Sequence, residues 1–70
     1  MNGKEEIRDF YGRILGTLED TGDRIIARDF YGRILGYYYK HEDKTKDFYN
    51  RIVANGDATV GLIMNAKQDF

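Results

Sequence analysis

A nine-residue segment, Arg8-Asp9-Phe10-Tyr11-Gly12-Arg13-Ile14-Leu15-Gly16, returns unchanged as Arg28-Asp29-Phe30-Tyr31-Gly32-Arg33-Ile34-Leu35-Gly36. A divergent third copy follows, Lys46-Asp47-Phe48-Tyr49-Asn50-Arg51-Ile52-Val53-Ala54, and the copies start 20 and then 18 residues apart. A short fixed period means that one supersecondary unit is used several times, each stacking on its neighbour to bury an apolar face it cannot bury alone.

Seventy residues are expected to make a single domain, residues 1–70. Ordering such a chain costs on the order of 100 kcal/mol, at about 1.5 kcal/mol per residue, and small scaffolds usually offset this with a covalent, metal or subunit staple. The chain has no cysteine and one histidine, His41, which excludes disulfides and argues against structural zinc. No cofactor is expected. Six tyrosines and four phenylalanines leave a dense aromatic core or self-association as the remaining sources of stability.

With 11 basic and 12 acidic side chains the net charge is −1, which argues against a strongly electropositive nucleic-acid binder or a polybasic membrane anchor. No apolar run approaches a membrane span. The start of the chain, Met1-Asn2-Gly3-Lys4-Glu5-Glu6, lacks the apolar core of a signal peptide, so a soluble cytoplasmic protein is expected.

Proline is absent, so glycine must punctuate the chain. The fourth position of the Asp-Phe-Tyr-Gly motif holds Gly12, Gly32 and Asn50, the residue types that most readily take positive φ. Its first position is Asp9, Asp29 and Asp47, and Asp is favoured where a type I turn begins. Together they predict a type I turn closed by a G1 bulge. A two-residue Tyr-Gly turn is the alternative, with the register shifted by one.

The flanks, rich in Ile, Leu and Tyr, suit strands. The reading is mainly β: an antiparallel meander of three repeated hairpins, about 6–20, 24–40 and 44–54, curled or barrel-like. Alternation sets Ile14, Gly16 and Leu18 against Arg13, Leu15 and Thr17, and Ile34, Gly36 and Tyr38 against Arg33, Leu35, Tyr37 and Tyr39. Gly16 and Gly36 inside strands point to sharp bending or close approach of another backbone. Asp57 can cap a short apolar helix over about 58–68. On it Val60, Ile63, Met64 and Lys67 share one face, and Leu62, Ala66 and Phe70 another. A helix apolar over most of its circumference should be buried, here on the concave side of the sheet. A last strand over 59–63 is the competing reading.

The pattern Arg-Asp-x-x-Gly-x-x-x-Gly, carried by Arg8, Asp9, Gly12, Gly16 and by Arg28, Asp29, Gly32, Gly36, resembles that of the bacterial β-flower repeat proteins. The third copy departs from it with Lys46, Asn50 and Ala54. The resemblance covers residues 6–56 and implies β-hairpin petals around a shallow barrel with a terminal helix in its middle. It implies no biochemical activity. The family's tips usually carry small or polar residues where this chain has Phe-Tyr.

The candidate interaction residues are the tip aromatics and the arginine after each: Phe10, Tyr11, Arg13; Phe30, Tyr31, Arg33; Phe48, Tyr49, Arg51. Exposed aromatic surface marks an interface, and Tyr with Arg is the composition of interface hot spots. The plainer reading folds the rings back over the core. The basic positions alternate with Asp, and cross-strand Arg–Asp pairing is the simpler account of them. His41 is expected to be solvated. The carboxylates Glu19, Asp20 and Asp23 fit no EF-hand spacing, and the chain has no serine for a Ser–His–Asp set. The function expected is therefore non-enzymatic: a structural or interaction module that self-associates, most simply as a dimer. The alternative is a ligand-binding module whose Tyr/Arg tips take a glycan, a peptide or a nucleic acid.

Overall fold

The computed structural model describes the backbone of residues 3–67 and the side chains of residues 3–65. Six strands follow one another: β1 (Gly3–Arg8), β2 (Ile14–Asp20), β3 (Arg24–Asp29), β4 (Ile34–Tyr39), β5 (Lys44–Asp47) and β6 (Ile52–Asn55), and then helix α1 (Thr59–Lys67). They form one sheet in the order β1-β2-β3-β4-β5-β6, each strand antiparallel to the next.

The sheet is open, with β1 and β6 as its two edges. This corrects the barrel-like expectation. The interior of a small closed barrel is filled by its own large side chains. Here Gly16, Ala27 and Gly36 are too small to fill one, and α1 packs on β2, β3 and β4 in their place.

The glycines act through close approach, as their place inside strands suggested. A Cβ on Gly16 would collide with the backbone carbonyl oxygen of Arg28 and sit 3.1 Å from Ile63 Cγ2. One on Gly36 would collide with the Lys46 carbonyl oxygen and sit 2.7 Å from Leu62 Cδ1.

The register contains a feature that simple alternation did not reveal. Ile7 faces Gly16 but Arg8 faces Ile14, so Leu15 is an extra residue on β2. The same shift leaves out Leu35 between Ala27↔Gly36 and Arg28↔Ile34, and Val53 between Thr45↔Ala54 and Lys46↔Ile52. Each is a β-bulge. A one-residue slip turns side chains to the other face, so the expected grouping of Ile14 with Gly16, and of Ile34 with Gly36, does not survive it.

The tail is a helix, and the strand reading of 59–63 is set aside. Asp57 Oδ1 accepts the Thr59 N–H at 3.0 Å and the Thr59 hydroxyl at 2.6 Å, capping the first turn. The buried side differs from the one expected. Thr59 and Ile63 are buried and Leu62 half-buried, whereas Val60 and Met64 remain 43% and 40% exposed. A helix lying on an open sheet has only one covered side, unlike one threaded through a barrel. The expected places of Ala66, Lys67 and Phe70 lie outside the described side chains.

Thr45, fully buried, ties this layer together. Its hydroxyl donates to the Gly56 carbonyl at 2.6 Å and accepts the Ala58 N–H at 2.9 Å, pinning the β6–α1 connection to β5. The three consecutive tyrosines divide between the faces. Tyr38 donates its hydroxyl to Asp43 at 2.7 Å. Tyr37 and Tyr39 lie 5.8 Å apart, with Arg24 5.0 Å from the Tyr37 ring centre and Lys46 5.1 Å from that of Tyr39. No helix among the described residues is long and apolar enough to cross a membrane.

Three substitutions test this packing. Gly16→Ala should cost about 1–3 kcal/mol, because the added methyl meets backbone that cannot yield. Gly61→Ala, with open space at its Cβ on the outer side of α1, should instead stabilise by about 0.5–1 kcal/mol. Urea denaturation of both variants reads the opposite signs. Thr45→Val, nearly equal in shape, orphans the Gly56 carbonyl and the Ala58 N–H, and should lower the unfolding free energy by about 1–3 kcal/mol in the same assay.

Candidate interaction site at the aromatic tips

The connections β1–β2, β3–β4 and β5–β6 carry the repeated motif and share one hydrogen-bond pattern. The Asp9 N–H donates to the Arg13 carbonyl at 2.9 Å and the Gly12 N–H to the Asp9 carbonyl at 3.0 Å. The corresponding pairs at Asp29 and Asp47 span 2.9–3.0 Å. Gly12, Gly32 and Asn50 have φ of +83°, +85° and +66°. This is the type I turn with a G1 bulge expected from the sequence. The two-residue alternative does not occur.

The motif aspartate also organises its tip through its side chain. Asp9 Oδ1 accepts the N–H groups of Tyr11 and Arg13, both at 2.9 Å, and Oδ2 accepts Arg13 Nε at 2.8 Å. Asp29 holds Tyr31 at 2.8 Å, Arg33 N–H at 2.9 Å and its Nε at 2.8 Å. Asp47 does the same for Tyr49 and Arg51, at 2.9, 2.9 and 3.0 Å. Behind the turn, Arg8 Nη1 donates to the Gly12 carbonyl at 2.7 Å and Arg28 Nη1 to that of Gly32 at 2.9 Å. Lys46, at the equivalent place, pairs with Glu42 at 3.3 Å instead.

Held through Nε, each arginine lies against a ring. Its Cζ is 5.5, 5.6 and 5.3 Å from the ring centres of Tyr11, Tyr31 and Tyr49. Each tyrosine in turn meets the neighbouring phenylalanine edge-on, 5.5 Å between centres in all three tips. In order of contact the unit reads Asp–Arg–Tyr–Phe.

The rings do not fold back over the core. Phe10 is 95% exposed, Phe30 63% and Phe48 61%, and the three tyrosines are exposed as well. Because the strands run up and down in order, all three tips emerge at the same end of the sheet. Neighbouring tips are two strands apart, at least about 9–10 Å. Phe10, Tyr11, Arg13, Phe30, Tyr31, Arg33, Phe48, Tyr49 and Arg51 therefore form one row.

The remaining candidates are elsewhere and apart. His41 is exposed in the β4–β5 turn. No cluster of three or more His, Cys, Asp or Glu that could hold a metal ion occurs among the described residues. Sequence reasoning expected Arg–Asp pairs across strands; at the tips the pair is instead internal to each turn, because the aspartate that closes the turn also takes the arginine four residues on. The recurrence of Asp and Arg four residues apart in every copy was the available signal.

No protein-family model, curated protein or solved structure matches this chain.

Burial pushes the Asp29 carboxyl up, but the N–H and guanidinium of Arg33 and the N–H of Tyr31 outweigh it and hold the group below the ordinary carboxylate value. Asp47 is lowered chiefly by the Arg51 N–H, against partial burial, with the Arg51 side chain adding to it. Carboxyls depressed in the folded state stabilise it above their unfolded pKa, near 3.8, and lose that contribution as pH falls through the folded values. Stability measured by urea denaturation should therefore be level from pH 7 to about 5 and fall steeply below about pH 4. Asp29→Asn should flatten that fall, having no proton to gain.

Proposed function

We propose that the chain is a non-enzymatic interaction module whose contact surface is the row of aromatic tips, and that its first partner is a second copy of itself. The reading takes the chain as three repeats of one β-hairpin, in the manner of the β-flower proteins, with the tips as its functional part. The absence of cysteine is compatible with a reducing compartment such as the cytoplasm.

The observation that carries this reading is the exposure of six large aromatic side chains at one end of a 70-residue chain. Exposed apolar surface gathered in one place usually marks an interface. The tips are also rigid for exposed loops, since each is held by three bonds to one carboxylate, so little further order is lost on contact. The sheet edges compete poorly as contact sites. On β1 the exposed edge carries Lys4, Glu5 and Glu6, while β6 has four residues and a bulge, and both devices discourage strand pairing. A two-fold dimer is the simplest closed assembly.

Sedimentation equilibrium over about 10–500 µM, about 1–50 times a Kd near 10 µM, should show reversible association. The triple variant Tyr11→Ser, Tyr31→Ser, Tyr49→Ser should remain folded by circular dichroism and stay monomeric. A wild-type chain that is purely monomeric throughout would refute self-association, and an associating triple variant would move the contact away from the tips.

A second reading is favoured by a separate observation. Arg13, Arg33 and Arg51 are fixed only through Nε, so the outer edge of each guanidinium faces solvent beside a ring. That arrangement suits a ligand in place of a second copy.

A further inference from the structure

We infer that the row of tips is a binding surface for single-stranded nucleic acid. This rests on the second reading above, the tips as a ligand site, and does not require the chain to self-associate.

The chemistry of each tip selects the ligand. Arg13, Arg33 and Arg51 use Nε on the motif aspartate at 2.8–3.0 Å, and their side chains are 66–73% exposed. The two terminal nitrogens of an arginine so anchored form a fork aimed outward, the geometry that grips an oxyanion with two parallel hydrogen bonds. The carboxylate behind it fixes the direction of the fork without covering its outer edge.

The tyrosine beside each fork meets a phenylalanine edge-to-face, and that phenylalanine remains 61–95% exposed. An open ring face is a stacking platform for a base. An acidic peptide supplies oxyanions without rings, and a neutral glycan supplies rings without oxyanions. A nucleic acid supplies both in every unit, and the site presents both three times in a row.

The strand must be single. Rings standing on narrow protruding turns can stack only on bases that are already unstacked, which a duplex does not offer. Three platforms at least about 9–10 Å apart correspond to a site of about 4–6 nucleotides, the short end of the range for one small domain.

The charge of the chain does not oppose this, because the charge is not evenly spread. The tip end holds Arg8, Arg13, Arg28, Arg33 and Arg51 against Asp9, Asp29 and Asp47. The turns at the opposite end hold Asp23, Glu42 and Asp43 against Lys40, which pairs with Asp20 at the end of β2 at 2.9 Å. Glu6 and Glu19 pair with Arg8 and Arg28 at 2.9 and 3.8 Å, set back along the strands from the tips. An approaching strand therefore meets the forks and rings first.

Fluorescence anisotropy with a labelled ten-nucleotide oligothymidylate tests the inference, with a duplex of equal length and heparin as competitors. The expected result is micromolar binding, with log K falling against log salt at a slope of about −2, as for about three phosphate contacts on a single strand. The duplex should compete at least tenfold more weakly. The variant Phe10→Ser, Phe30→Ser, Phe48→Ser, which removes rings that bear no backbone bond, should lose tenfold or more in affinity while remaining folded by circular dichroism. Arg13→Lys, Arg33→Lys, Arg51→Lys keeps the charge and loses the fork, and should weaken binding several-fold. Absence of binding at 50 mM salt overturns the inference, as does equal binding of the duplex. Heparin displacing the oligonucleotide at equal charge, with the phenylalanine variant unaffected, also overturns it by reducing the site to a general polyanion surface. Sedimentation of the same samples without oligonucleotide reports self-association separately, so either idea can fail alone.

Discussion

The carboxylate of the motif aspartate is the contact on which each tip, and through it the sheet, depends. One side chain accepts two backbone N–H groups and a guanidinium, and so closes the turn, sets the direction of the following arginine and fixes where the next strand begins. Its bonds are charge-assisted and are stronger than neutral ones. Asp29 makes them while largely buried, where an unpartnered carboxylate would be costly. The lowered proton affinity of Asp29 and Asp47 expresses the same contact.

From that fixed start the strands acquire their second irregularity, the bulges at Leu15, Leu35 and Val53. A bulge near each tip bends its strand and returns the next residue to the face that meets α1. In the first two copies that residue is glycine, and the helix comes down onto it through Ile63 and Leu62. In the third it is Ala54, on the edge strand, away from β2, β3 and β4 on which α1 chiefly packs. The core is correspondingly thin, with Ile26, Ala27 and Ile63 its buried apolar side chains. Buried Thr45 satisfies the backbone at the helix start, and the buried Thr59 hydroxyl donates to the Asp57 carboxylate, in both cases by hydrogen bonding, not by apolar contact.

The tips were the least settled part of the sequence, because an aromatic residue in a turn can either complete a core or advertise a surface. Phe10 could not have folded back over the sheet. The turn it belongs to is held out by Asp9, and the covering layer is already supplied by α1. The resulting unit combines a cation and two exposed rings packed edge-to-face, three times along one end of the sheet. Such a composition belongs to recognition surfaces more than to interiors.

Much of this was legible in the residues themselves. Asp at the first motif position and Gly or Asn at the fourth determined the turn type, since few other residues satisfy its hydrogen bonds and its positive φ together. The runs after each tip determined strands, and Asp57 before an apolar run determined a capped helix. These are local matters, decided within a few residues of chain. Tertiary structure alone decided that the sheet stays open, which side of the helix is buried, that Leu15 and Leu35 slip out of register, and that the phenylalanines face water. Each of those depends on what occupies the space above Gly16 and Gly36. That is a competition between distant segments for one small volume, and no local pattern records its outcome.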